Sequence, residues 1–192
     1  MCSSDLWVFA GSGRYFSVPD KTSTEQQYFV GVKDAVLNGS CTESTKINCH
    51  GDDLVDLSNA QVCLLGVGNC GGATDQVTGV SGASDFPSLI SLVASKDGWY
   101  TTLPDVGERS LSKPLVVGGL VLFPTFVPDN DPCASSGSSY MYALYYRTGG
   151  AYQSPVIGTT SAGSNKNVNR RTGIGSGMRS EEHTSELQSP CN

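Results

Sequence analysis

Four short runs of β-forming residues between Trp99 and Gly150 constrain this chain more than any other feature. They are residues 99–103, 114–117, 120–126 and 140–146, rich in Val, Leu, Thr, Phe and Tyr and bounded by turn formers. Gly118-Gly119 separates the second run from the third, and a two-residue diglycine spacing specifies a tight hairpin. Pro124 interrupts the third run, which puts it at a bulge or an edge where no ladder donor is needed. Four antiparallel strands in about fifty residues is the size of one β-propeller blade. The expectation is that these four runs form one sheet.

A weaker copy stands near the start. Residues 7–10 and 27–33 bracket a polar loop, giving strand, loop and aromatic-rich strand in the order also seen at 121–126 and 140–146. Small sheets that bury their faces only against neighbours repeat in this way. The fold class expected is therefore all-β, a partial β-propeller of about one and a half four-stranded antiparallel blades. Charged residues make up only 16% of the chain and glycines number 23, a balance that favours short strands and tight turns over long helices.

Between the two strand regions lies an insertion, residues 35–98, with one helical signal. Phe86, Leu89, Ile90 and Val93 fall at i, i+3, i+4 and i+7, with Asp85 placed to cap and Pro87 in the first turn. The spacing predicts a short amphipathic helix covering an edge or rim of the sheet. Residues 152–160 read as the start of one more strand, and the Gly-rich segments 11–13 and 173–177 read as turns.

Both ends read as foreign sequence. Residues 179–189 match the translation of a common short-read sequencing adapter. Residues 1–6 match its opposite strand, read from a GTG start. The expected organisation is thus 1–6 and 179–192 as adapter-derived, with 7–178 an internal slice of a longer gene. Setting aside Arg179, Asp5, Glu181, Glu182 and Glu186 takes the formal net charge from −6 to −3. A mildly acidic chain without a basic cluster carries no electrostatic footprint for nucleic acid or an anionic membrane. No apolar run approaches the ~20 residues that span a bilayer.

Cysteine indicates the compartment. Cys41, Cys49, Cys63 and Cys70 crowd into the polar insertion, a setting that suits disulfides in an oxidising, exported location. The short-range pairs Cys41 with Cys49 and Cys63 with Cys70 are the first expectation. Cys133 is left over; pairing within the group, pairing beyond this stretch and a free thiol all stay open. A zinc site of Cys41, Cys49, His50, Cys63 and Cys70 lacks the tight C-x-x-C knuckles of structural zinc centres.

Several short motifs follow one another in a recognisable order. Gly11-Ser12-Gly13-Arg14-Tyr15-Phe16 precedes Tyr28-Phe29-Val30-Gly31-Val32-Lys33-Asp34. Then come Gly98-Trp99-Tyr100, Gly107-Glu108-Arg109, Ser112-Lys113-Pro114, Asp131-Pro132-Cys133, Tyr140-Met141-Tyr142-Ala143-Leu144 and Arg147-Thr148-Gly149. The succession resembles the C-terminal β-propeller of PilC/PilY-type proteins, the type IV pilus tip-associated adhesins and assembly factors. The resemblance implies a protein displayed at the cell surface, in the fimbrium. There it would support pilus extension and surface attachment, with minor pilins or the pilus tip complex, and host or abiotic surfaces, as partners. It also implies calcium in the full-length family, held by an aspartate-rich loop. Asp129, Asn130 and Asp131 have the opening spacing of such a loop, but Pro132 and Cys133 follow where glycine and further oxygen ligands belong. The metal expectation for this stretch is therefore none, with those three as weak candidates, and no cofactor is expected.

Catalysis finds little material. His50 is the one histidine left between the adapter-like ends, and no G-x-S-x-G elbow precedes a helix. Asp105, Glu108 and Arg109 form a charged group that reads better as loop-end salt bridging than as a catalytic carboxylate pair. Tyr140, Tyr142 and Tyr146 share one face by alternation, which suits packing between sheets more than a binding surface. The reading is a binding or assembly module with no catalytic residues; the alternative is a blade of a periplasmic quinoprotein-like propeller dehydrogenase.

Overall fold

The computed structural model describes residues 6–33, 53–64, 76–129, 136–162 and 165–177. In chain order their elements are β1 (Trp7–Gly11), α1 (Val18–Lys21), β2 (Tyr28–Lys33), β3 (Leu54–Asp56), β4 (Gln61–Val62), β5 (Val77–Thr78) and α2 (Phe86–Ala94). There follow β6 (Gly98–Thr102), β7 (Leu115–Val117), β8 (Leu120–Pro128), β9 (Gly137–Tyr145), β10 (Thr159–Ala162), β11 (Asn165–Val168) and β12 (Arg171–Ser176). The protein is all-β, with two short helices among the described residues.

Two four-stranded sheets carry the fold, in the orders β1-β2-β6-β3 and β12-β9-β8-β7, and two-stranded ribbons β4-β5 and β10-β11 flank them. This corrects the expected grouping of strands. The run at 99–103 does not join the three that follow it; β6 lies between β2 and β3, antiparallel to the first and parallel to the second. The fourth strand of the second sheet is instead β12, drawn from the segment 173–177 that was expected to be turns. Glycine favours turns over strands, but here the ladder with β9 overrides that preference, with a bulge between Gly173 and Gly175. The strand expected within 152–160 starts only at Thr159. The described residues form no closed sheet.

Local chemistry explains the elements that the sequence did mark. Val117 pairs with Leu120 across Gly118 and Gly119, both at positive φ (58° and 81°), the backbone of a two-residue primed turn. Pro124 is tolerated inside β8 because of where its missing donor falls. Phe126, two residues on and so facing the same way, bonds Arg109 on the side away from β9. On that side β7 ends at the Leu115–Leu122 pair, short of Pro124. At the start of α2, the Asp85 carboxylate accepts from Ser88 N at 2.7 Å, while Phe86, Leu89 and Val93 turn inward. Lys33, the last residue of β2, donates to the carbonyls of Val93 and Ala94 at 3.0 and 2.9 Å, so a cation sits at the helix C-terminus.

The core is an aromatic column between the sheets. Phe29 from β2 stacks on Phe123 from β8 with ring centroids 3.6 Å apart, and Phe123 stacks on Tyr142 from β9 at 4.7 Å. Trp99 lies beside Phe29 and Phe9, and its indole N–H donates to Tyr146 O at 2.8 Å, joining β6 to the chain just beyond β9. A side chain at Gly31 would sit 2.5 Å from the Trp99 ring, and one at Gly149 would overlap it outright. Trp99 thus occupies a slot that two glycines leave open.

Candidate functional site

The charged group flagged around Glu108 is assembled by four segments. The loop after β6 supplies Asp105 and Glu108, the facing strands β8 and β9 supply Thr125 and Tyr142, and β12 opens with Arg171. Glu108 is fully buried. One carboxylate oxygen accepts from Thr125 Oγ1 at 2.5 Å and Tyr142 OH at 2.9 Å. The other accepts from Arg171 Nη1 at 2.9 Å and from Asp105 N at 3.2 Å. A carboxylate offers about four lone-pair positions, and all four are used.

The electrostatics follow from this closure. Burial, reinforced by the adjoining Glu108 carboxylate, pushes the Tyr142 hydroxyl well above its ordinary pKa. Burial opposes the charge on Arg171, but the hydrogen bond to Asp105 and the surrounding acidic groups outweigh it and raise its pKa. Arg171 bonds Asp105 Oδ2 at 2.8 Å and lies 4.3 Å over the Tyr140 ring. A carboxylate so enclosed, with every acceptor position facing a protein donor, holds strands together and presents no face to a substrate.

Arg109 does not pair with these carboxylates. Its guanidinium turns the other way and donates to four carbonyls, Gly107 at 2.9 Å, Arg14 at 2.8 Å, Asp20 at 2.7 Å and Ser23 at 3.2 Å. The β1–β2 loop, with α1 inside it, is thereby wrapped around one side chain. Asp20 finishes the loop by accepting from Phe16 N, Ser17 N, Ser17 Oγ and Arg14 Nε at 2.8–2.9 Å. Those hydrogen bonds, Phe16 first, hold its carboxyl well below the usual carboxylate range.

The other flagged residues are placed as follows. Cys63 is buried and disulfide-bonded, and its sulfur lies 3.1 Å from the Asn167 side chain. Cys41, Cys49, Cys70, Cys133, His50, Asn130 and Asp131 lie outside the described residues, as do both adapter-like ends apart from Leu6. Asp129 accepts from Ser136 Oγ at 2.7 Å, closing the β8–β9 connection. Among the described residues no group of three or more His, Cys, Asp or Glu side chains gathers. Tyr142 and Tyr140 share a face as alternation requires, but β9 stops at Tyr145, and Tyr146 instead meets Trp7 edge-on at 5.9 Å. Arg170 and Arg171 belong to no motif in the sequence. Their partners lie far back in the chain, with 63 residues separating Arg171 from Glu108. No helix of the described residues is long and apolar enough to cross a membrane.

Comparison with known proteins fits the motif order. No family model matches the chain. The "Type IV pilus biogenesis factor PilY1 homolog" of Xylella fastidiosa is 31% identical over 158 residues, covering 78% of this chain and 9% of that protein. "Type IV pilus biogenesis factor PilY1" of Pseudomonas aeruginosa is 26% identical over 152 residues, covering 74% of this chain and 12% of that protein. Among solved structures, the Pseudomonas aeruginosa PilY1 C-terminal domain is 18% identical with a TM-score of 0.44, covering 85% of this chain and 36% of that one. The chain thus spans about a tenth of the length of the curated relatives it matches. Over most of its own length it is a homologue of the type IV pilus biogenesis factors named PilY1.

Proposed function

We propose that this chain is a stretch of β-propeller from a type IV pilus biogenesis factor, acting by binding and assembly and not by catalysis. The observation that carries the reading is the 31% identity over 158 residues to a PilY1 homolog. Two four-stranded sheets stacked through Phe29 and Phe123 suit neighbouring blades, which bury their faces against one another. The short outer strand β7 leaves Leu115, Val116 and Val117 more than half exposed, a surface that the rest of a longer parent would cover. The disulfide at Cys63 suits an oxidising, exported location, at the cell surface or in the fimbrium.

In this reading the partners of the parent are minor pilins or the pilus tip complex, together with host or abiotic surfaces. Calcium, which the family resemblance implies for the full-length protein, is in this reading held outside this stretch. The test is an in-frame deletion of codons 7–178 from the parent gene in its own bacterium. Loss of surface pili and twitching motility, with prepilin still made, is the expected result. Normal piliation, or loss of a quinone-dependent dehydrogenase activity instead, would overturn it.

A further inference from the structure

We propose that the groove between the β3–β4 turn, the β10–β11 hairpin and the start of β12 is a binding site for an uncharged, hydroxyl-rich ligand, a glycan. Its volume is about 460 Å³, inside the ~300–1,000 Å³ range of small-molecule sites. Among the described residues the lining contains no carboxylate. Its two cations are already committed. Arg170 donates to Leu57 O at 2.9 Å, Ser58 O at 2.7 Å and Thr101 Oγ1 at 3.2 Å. Arg171 is held by Asp105 and Glu108. A cation finds no opposite charge there among the described residues, and an anion meets guanidinium donors already engaged by protein oxygens.

What the groove offers is side-chain amides and hydroxyls. Asn167 Nδ2 donates to Gln61 Oε1 at 3.3 Å, which leaves the Gln61 amide N–H groups available. Thr160 Oγ1 donates to Asn169 Oδ1 at 2.7 Å, which leaves the Asn169 N–H groups available. Asn59 lines the same groove, exposed on the β3–β4 turn. Each amide presents a donor beside an acceptor, the arrangement that matches a pair of adjacent sugar hydroxyls. A peptide held by its side chains would instead require a deep apolar pocket. The apolar surface here is shallow, from Ala60, Ala151 and Pro104.

The Arg170 and Arg171 bonds brace the walls, so the groove is formed before any ligand arrives. The proposal does not depend on the pilus reading. Failure to bind sugar leaves the homology and the deletion test untouched, and normal piliation leaves the groove untouched.

The experiment is saturation-transfer NMR on the full chain with maltose, cellobiose and N,N′-diacetylchitobiose, beside tri-alanine and an acidic chondroitin disaccharide. Asn59→Ala and Gln61→Ala, both at exposed positions, are compared with the parent sequence. Transfer to at least one neutral sugar, weakened about fivefold or more by either variant, is expected from the loss of one hydrogen bond. Transfer to no neutral sugar, transfer unchanged in both variants, or transfer only to the peptide or the acidic sugar would each overturn the proposal.

Discussion

Arg171 meets Glu108 at 2.9 Å, so the strand that closes the second sheet is tied to the loop that leaves the first. Glu108 is fully buried while the Arg171 side chain is 25% exposed, which makes the carboxylate the member that suffers most when the pair is broken. Arg171→Met should cost about 3 kcal/mol in urea unfolding, the low end for a buried pair because Thr125 and Tyr142 still donate to the carboxylate. Glu108→Leu combined with Arg171→Met should cost less than the sum of the two single changes, since no lone buried charge remains. Strict additivity would show that the two side chains do not act as a unit.

The Trp99 slot gives a second expectation. A Cβ at Gly149 would overlap the indole, and the backbone there has φ +63°, which L side chains rarely adopt. Gly149→Ala should therefore destabilise by about 2–4 kcal/mol, from overpacking and left-handed strain together. It should also alter Trp99 fluorescence by loosening the hydrogen bond to Tyr146 O. Unchanged stability and an unshifted emission spectrum would mean that the slot has room to spare.

These two relationships mark the limit of what could be read from the residues. The helix at Phe86, its Asp85 cap and the Gly118-Gly119 hairpin were legible because each depends on neighbours within four positions. Alternation locates a strand but does not name its partner, which is why the run at 99–103 was grouped with the wrong sheet. Its true place follows from the fit of Trp99 against Gly31, a close approach between strands that no local pattern records. Strand β12 was hidden by its glycines, and with it Arg171. Asp105, Glu108 and Arg109 were visible as a charged group destined for salt bridges, but the reading did not separate Glu108, bound to Arg171, from Arg109, bound to carbonyls.

Asp20 predicts a pH dependence. Hydrogen bonds from Phe16 N–H and the Ser17 hydroxyl lead the effects that lower its pKa in the folded state. A lowered carboxyl pKa contributes stability that is present above the unfolded value, about 3.9, and is lost as pH falls through the folded value. Asp20→Asn should therefore destabilise at neutral pH, with the gap from the parent sequence closing in acid. Urea midpoints for both proteins across the acid range would check it. A gap that stays constant from neutral pH to pH about 2 would show that the loop does not depend on the Asp20 charge.

The last prediction concerns the cysteines. Cys63 is disulfide-bonded and packs at the junction of β4 with the β10–β11 hairpin, where its backbone bridges Asn167 and donates to Gln76 O at 2.8 Å. Cys63 with Cys70 is the expected pair, and Cys41 with Cys49 its companion. Each closes a short loop, which restrains the unfolded chain by only about 2–3 kcal/mol on the loop-entropy account, so the main effect is local ordering beside the hairpin. Parent protein purified from the cell surface without reductant should yield peptides linked through Cys63 on digestion and mass spectrometry. Reduction should then raise hydrogen exchange in 61–64 and 165–168 before it lowers the global unfolding midpoint. Four freely alkylatable thiols, or zinc in the purified protein, would remove both the pairing and the argument for an exported location that rests on it.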